Sequence, residues 1–191
     1  DPSRLKLDNI TIANAQKGKY NVTFNSYGGT PVNSQSVFYN ERATVPGNPT
    51  REGFIFDGWY TDPELTKPFA FTTAIKENTQ LYAKWVLIFY TVAFDSGGGT
   101  AVSSQTVFYG GNAINPMPAP TRTGYTFEGW YTDTGLTRSF DFNTVITKYT
   151  TLYAKWTLNH YTLTFNSNGG TAVSSQTVGY NNRATEPANP T

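Results

Sequence analysis

Cysteine is absent from the 191-residue chain, which excludes disulfide staples and thiolate metal sites and suits a protein that folds outside the cell without oxidative help. Charge is scarce as well. Charged residues make up 14%, with 14 Lys and Arg against 13 Asp and Glu and a net charge of +1. That leaves no electrostatic footprint for nucleic acid or for an anionic membrane surface. Long apolar runs are missing too: the longest, Trp85 to Tyr90, is far too short to span a bilayer. Asp1 is not preceded by a basic-then-apolar leader, so the chain reads as a soluble piece cut from a longer polypeptide. Histidine is reduced to a single residue, His160.

Aromatic residues are plentiful, at 16% of the chain. Each buries ~150–250 Å², so the core must be built largely from Phe, Tyr and Trp. Their placement is periodic. GFIFDGWYTD at 53–62 returns as GYTFEGWYTD at 124–133, 71 residues on. Tyr20 to Thr50 aligns without a gap with Tyr161 to Thr191, 21 of 31 positions being identical, and Arg51 to Trp85 aligns with Arg122 to Trp156 at 20 of 35. Self-similarity at this period marks a repeat architecture. It implies repeat 1 over 20–85, a linker 86–89, repeat 2 over 90–156, a linker 157–160 and the first half of repeat 3 over 161–191. Residues 1–19 are either the end of a preceding domain or a cap on the first repeat, with Asn9 to Ala15 in the register of the closing strand. Linkers of four residues leave neighbouring repeats little freedom, and a semi-rigid string is expected.

Within a copy, Tyr90, Val92 and Phe94 alternate with Thr91 and Ala93, the period of a half-buried strand. Asn and Gly then supply a turn, and Val107 with Tyr109 forms a second strand whose outward position is Phe108, matched by Phe38 and Gly179. A Pro-rich crossing follows, unfit for helix or central strand. Tyr125 and Phe127 lead into Gly129-Trp130-Tyr131, and Leu152, Ala154 and Trp156 share one face of a closing strand, with Tyr153 and Lys155 on the other. A short helical turn is expected between Phe140 and Lys148. The expected core comprises Trp59, Trp85, Trp130, Trp156, Phe56, Phe127, Phe71 and Phe142.

The elements YTLTFNSNGGT, SSQTVGYN, PTRTGYTFEGWYTD, FDFNT and TTLYAKW resemble the Listeria–Bacteroides repeat, the B repeat of internalin-type surface proteins. The resemblance covers Tyr20 to Thr191. It implies a mainly β fold, a tandem of small β-grasp, ubiquitin-like or SUMO-like modules. It also implies an extracellular place in a cell-wall-attached bacterial surface protein, where such modules act as a spacer or stalk with a secondary role in adhesion and virulence. The rival implication is a dedicated module for binding a host protein or glycan.

Catalytic chemistry finds no foothold. His160 has no Cys partner and falls in a linker. Asp57 with Glu128, and Asp62 with Asp133, supply one carboxylate per repeat rather than the converging pair that acid/base catalysis needs. Gly97-Gly98-Gly99 joins two strands and lacks the helix and Lys of a phosphate loop; the acidic residues do not form a calcium loop. No enzyme activity, cofactor or metal is expected. Exposed Phe38, Tyr82, Phe108 and Tyr153 are the candidates for binding a host-surface protein or glycan, or alternatively for lining the joints between repeats. The unfinished third copy, with Tyr161, Leu163 and Phe165 along an open edge, is expected to dock on another chain or back on repeat 2, and to be ordered by that contact.

Overall fold

The computed structural model describes residues 18–191; the Asn9 to Ala15 expectation lies outside the described residues. The chain divides into two compact units between Ile88 and Phe89. In the first unit, β1 (Lys19–Asn25), β2 (Gln35–Phe38), β3 (Phe54–Tyr60) and β4 (Thr79–Leu87) form one sheet in the order β2-β1-β4-β3. β1 and β4 run parallel, Val22 beside Thr79 through Asn25 beside Tyr82, and both outer pairs are antiparallel. The second unit repeats this with β5 (Phe89–Asp95), β6 (Gln105–Phe108), β7 (Tyr125–Tyr131) and β8 (Thr150–Leu158), and adds a separate hairpin of β9 (His160–Leu163) and β10 (Gln176–Gly179). The fold is mainly β, with no helix among the described residues.

The expected helical turn between Phe140 and Lys148 is absent. Thr144 N donates to the Asp141 carbonyl at 2.9 Å, and Asn143 N donates to Asp141 Oδ1 at 2.9 Å. Asp captures a nearby backbone N–H and so closes a tight turn in competition with helix. The four-residue stretches expected as linkers are mostly strand: Val86 and Leu87 end β4 opposite Ile55 and Phe54, Thr157 and Leu158 end β8 opposite Thr126 and Tyr125, and His160 opens β9.

The core lies on one face of each sheet, under the loops rather than under a helix. Val22, Val37, Trp59, Leu81 and Ala83 point inward from the strands, and Ala43 and Ile75 close over them from the loops. Phe24, Phe56, Phe71 and Trp85 pack around these residues. In the second unit Val92, Val107, Trp130, Leu152, Ala154, Ala113 and Ile146 take the same places, with Phe94, Phe127, Phe142 and Trp156 packed around them. Both Phe127 and Trp130 face inward although three positions separate them, which regular alternation forbids. A β-bulge between Phe127 and Gly129 supplies the extra residue, Glu128, and resets the alternation. Gly129 makes it possible by holding φ at 126°.

Gly99 has a different reason to be glycine: a Cβ there would overlap the Trp156 ring, whose Nε1 donates to the Ser96 carbonyl at 2.8 Å. The Pro-rich crossing is held by one side chain in every copy. Gln35, Gln105 and Gln176 each accept from the backbone N–H of Thr44, Ile114 and Thr185 and donate to the same residue's carbonyl, at 2.6–2.9 Å. A second clamp ties Thr30 to Thr50, Thr100 to Thr121 and Thr171 to Thr191. The third copy keeps both clamps. It also rests on the second repeat: Tyr180 N donates to the Asn159 carbonyl at 2.8 Å, and the Tyr180 ring lies on Gly124. Gly179, expected to face outward, is buried, its missing side chain leaving room for Leu158. Leu163 and Phe165 find no parallel strand beside them among the described residues, and β9 stops at Leu163, where β1 and β5 begin their parallel pairing and run on.

Candidate functional site

The face of the first sheet opposite the core carries Asn21, Thr23, Gln80 and Val86, all exposed, and the half-buried Tyr82 and Lys84. Register places Asn25, Tyr82 and Tyr60 in one row across β1, β4 and β3. Tyr27, from the turn after β1, lays its ring on Tyr82 with centroids 5.6 Å apart and planes 29° from parallel. Its backbone N–H donates to Asn25 Oδ1 at 3.0 Å, and its φ is 45°. One pleat further along β4, Lys84 Nζ donates to the Tyr60 hydroxyl at 3.2 Å and stands 3.3 Å from Asp57 Oδ2. The Tyr60 hydroxyl oxygen and then the Asp57 carboxylate hold the Lys84 pKa above its ordinary value.

The second sheet repeats the row in part. Tyr131 and Tyr153 face each other across β7 and β8, and Lys155 lies over the Tyr131 ring at 4.8 Å. Gly97 stands where the first repeat has Tyr27, so the ring that stacks on Tyr82 has no counterpart at that position beside Tyr153.

Phe38 and Phe108 stand apart from these tyrosines. Phe38 pairs with Lys19 at one end of β1, under the Lys19 ammonium at 4.7 Å, while Tyr82 pairs with Asn25 at the other end. Strand rise separates the two levels by roughly 20 Å. Phe108 and Tyr153 are related in the same way through Phe89 and Asp95. The sheet therefore does not join Phe38 to Tyr82, or Phe108 to Tyr153, in one strip. Sequence reasoning missed Tyr27 and Tyr60. The i to i+3 spacing of Phe56 and Trp59 around Gly58 was the available signal for Tyr60, because the bulge there turns its side chain outward.

The turn carboxylates are occupied by the turns themselves. Asp62 accepts from Thr66 Oγ1 at 2.6 Å and from Lys67 N at 2.7 Å; Asp133 accepts from Arg138 N and Thr137 Oγ1, each at 2.8 Å. Both pKa values are lowered, Asp62 chiefly by the Thr66 hydroxyl and Asp133 chiefly by the Arg138 backbone N–H. Among the described residues no three His, Asp or Glu side chains gather as a metal would require, and no helix is long and apolar enough to cross a membrane.

The repeated unit matches the model of the Listeria-Bacteroides repeat domain three times, over residues 20–84, 90–155 and 161–191. The chain belongs to the Listeria-Bacteroides repeat domain family. It is similar to a "Putative Gly-rich membrane protein" of Evansella cellulosilytica, 39% identical over 193 aligned residues that cover all of this chain and 22% of the relative. A "Putative membrane protein" of the same organism is 41% identical over 90% of the chain and 26% of its own length. "Internalin H" of Listeria monocytogenes is 38% identical over 66% of the chain and 23% of its own length. The chain thus spans about a quarter of the length of each of these relatives. In Listeria-Bacteroides repeat terms, the third match breaks off before the GWY and LYAKW elements that give the first two their Trp59, Trp130, Trp85 and Trp156.

Proposed function

We propose that this chain is a segment of an extracellular spacer array in a bacterial cell-surface protein of internalin-like type, without catalytic activity of its own. The observation that carries the reading is the connection between copies. A single residue, Ile88, separates β4 from β5, and a single residue, Asn159, separates β8 from β9. A join this short suits a spacer, which repeats one module at a regular interval, better than a domain built around a ligand. Family membership and the names of the relatives, a "Putative Gly-rich membrane protein", a "Putative membrane protein" and an internalin, support the surface location. The parallel pairing of first and last strand in each unit supports a β-grasp ancestry for the module.

Adhesion to a host-surface protein or glycan is a secondary role in this reading, carried by the outer sheet faces with Phe38, Tyr82, Phe108 and Tyr153. The test is a swap in the longer protein. Replacing one complete repeat by an unrelated rigid domain of equal length leaves surface display and function intact if the repeat is a spacer. Loss of host-cell attachment after the swap, with display unchanged, makes it a dedicated binding module.

A further inference from the structure

We propose that the Tyr27–Tyr82 ring stack of the first repeat is a binding platform for a neutral oligosaccharide of equatorially substituted pyranoses. Tyr27 carries the argument. Its φ of 45° lies in the left-handed region, which a bulky side chain adopts only under constraint. The second and third copies place Gly97 and Asn168 at this point of the turn, residue types that tolerate the conformation. Leu65 and Leu136 hold positive φ too, but both full copies keep Leu there, whereas the first copy alone places a ring at this point of the turn; a strained residue peculiar to one copy points to function. Tyr27 is 36% exposed, and its ring stacks on the half-buried Tyr82.

The surroundings select the ligand. Asn25 and Tyr60 flank Tyr82 in the same row, and the Lys84–Asp57 ion pair lies one pleat away. Flat rings bordered by an amide, hydroxyls and a self-neutralised ion pair match a pyranose, which offers one apolar face and a rim of hydroxyls. The Arg51 guanidinium, beside Gly28 of the same turn, lies over the Phe54 ring at 3.9 Å, so that cation is already stacked within the fold. Two tyrosine rings, at most ~500 Å² of total side-chain surface, fall short of the ~800 Å² that a stable protein interface buries on each partner. The proposal rests on the secondary adhesive role given above to Tyr82 and not on the step between copies.

The test is titration of the full chain with two soluble β-1,4-linked probes, cellohexaose and chitohexaose, at up to millimolar concentration, followed by calorimetry and by the tyrosine ring signals in NMR. Saturable binding of either sugar is expected. Tyr27→Asn is expected to weaken it about tenfold or more while the thermal midpoint holds or rises, because Asn suits the left-handed turn. Gly97→Tyr, which rebuilds the stack beside Tyr153, is expected to add a second site. No saturation with either sugar overturns the proposal, as does binding unchanged in Tyr27→Asn. Spectral shifts that follow protein concentration instead of sugar assign the stack to self-association and overturn it as well. If Tyr27→Asn loses both binding and stability, Gly97→Tyr decides: a gained site supports the platform, and its absence refutes it.

Discussion

The ring of Tyr180 lies so close over Gly124 that a Cβ on Gly124 would overlap it. Gly124 also holds φ at 78°, and its carbonyl accepts from Asn159 N at 2.9 Å. One glycine thus seats the hairpin of the third copy on the second repeat. Gly124→Ala is expected to destabilise the second unit by about 1–3 kcal/mol, through the positive φ and through displacement of the ring. It should also speed hydrogen exchange at Tyr180. Urea denaturation followed by exchange on the same variant checks both, and an unaltered Tyr180 rate would mean that the ring does not anchor the hairpin.

Trp130 is 3% exposed, packs edge-on against Phe94 and Phe127, and leaves its indole Nε1 without a hydrogen-bond partner. Trp130→Ala should cost about 3–5 kcal/mol, a large share of what a domain of this size possesses. Trp130→Phe should cost much less, since it keeps an aromatic ring and removes an unpaired donor. Thermal unfolding of the two variants should therefore rank them far apart. Equal losses would show that the cavity is not the cause.

Asp62 and Asp133 have pKa values lowered by the turns they close. A folded-state pKa below the unfolded value of 3.8 means that these carboxylates stabilise the fold fully above the unfolded pKa. The contribution is lost as pH falls through the folded pKa. Asp133→Asn should lower stability near neutral pH and flatten the acid limb of the second unit's pH–stability curve. A variant whose acid limb matches the parent's would exclude Asp133 as a source of that dependence.

Periodicity made the strands legible, because alternation of Val and Phe with Thr and Ala is a local signal. It also set four tryptophans at a fixed spacing, of which the structure buries Trp59 and Trp130 and leaves Trp85 and Trp156 half-buried. What it did not reveal was set by single residues with non-local partners. Glu128 and Gly129 shift the register only when β8 is present to define it. Gln105 reads as an ordinary strand residue until its amide meets the Ile114 peptide nine positions on. Tyr27 reads as a turn residue until Tyr82, on a strand more than fifty positions later, comes beneath it. The linkers read as linkers because Val86 and Thr157 lie past the last motif residue, although the sheet extends through them.

Gln105→Ala removes two hydrogen bonds to the Ile114 peptide, at 2.7 and 2.8 Å. Net values for such bonds put the loss at about 1–2 kcal/mol. Limited proteolysis should then cut first in the Pro-rich crossing between Asn112 and Pro120. Resistance there equal to the parent's would show that the proline content alone orders the loop.

In a chain that stops at Thr191, parallel pairing should separate the first two copies from the third. Ala93 to Asp95 lie beside Thr151 to Tyr153, whereas Thr164 to Asn166 are outside any strand. Hydrogen exchange in dilute solution is expected to be slow in the first segment and fast in the second. Similar protection of the two in a monomer would mean that the hairpin finds a parallel partner elsewhere in the chain.

Solution scattering on chains of one, two and three complete repeats tests the spacer reading most directly. If single-residue joins such as Ile88 and Asn159 fix the step between copies, the maximum dimension should rise by nearly the same increment with each repeat added. A three-repeat chain no longer than a two-repeat chain would contradict it.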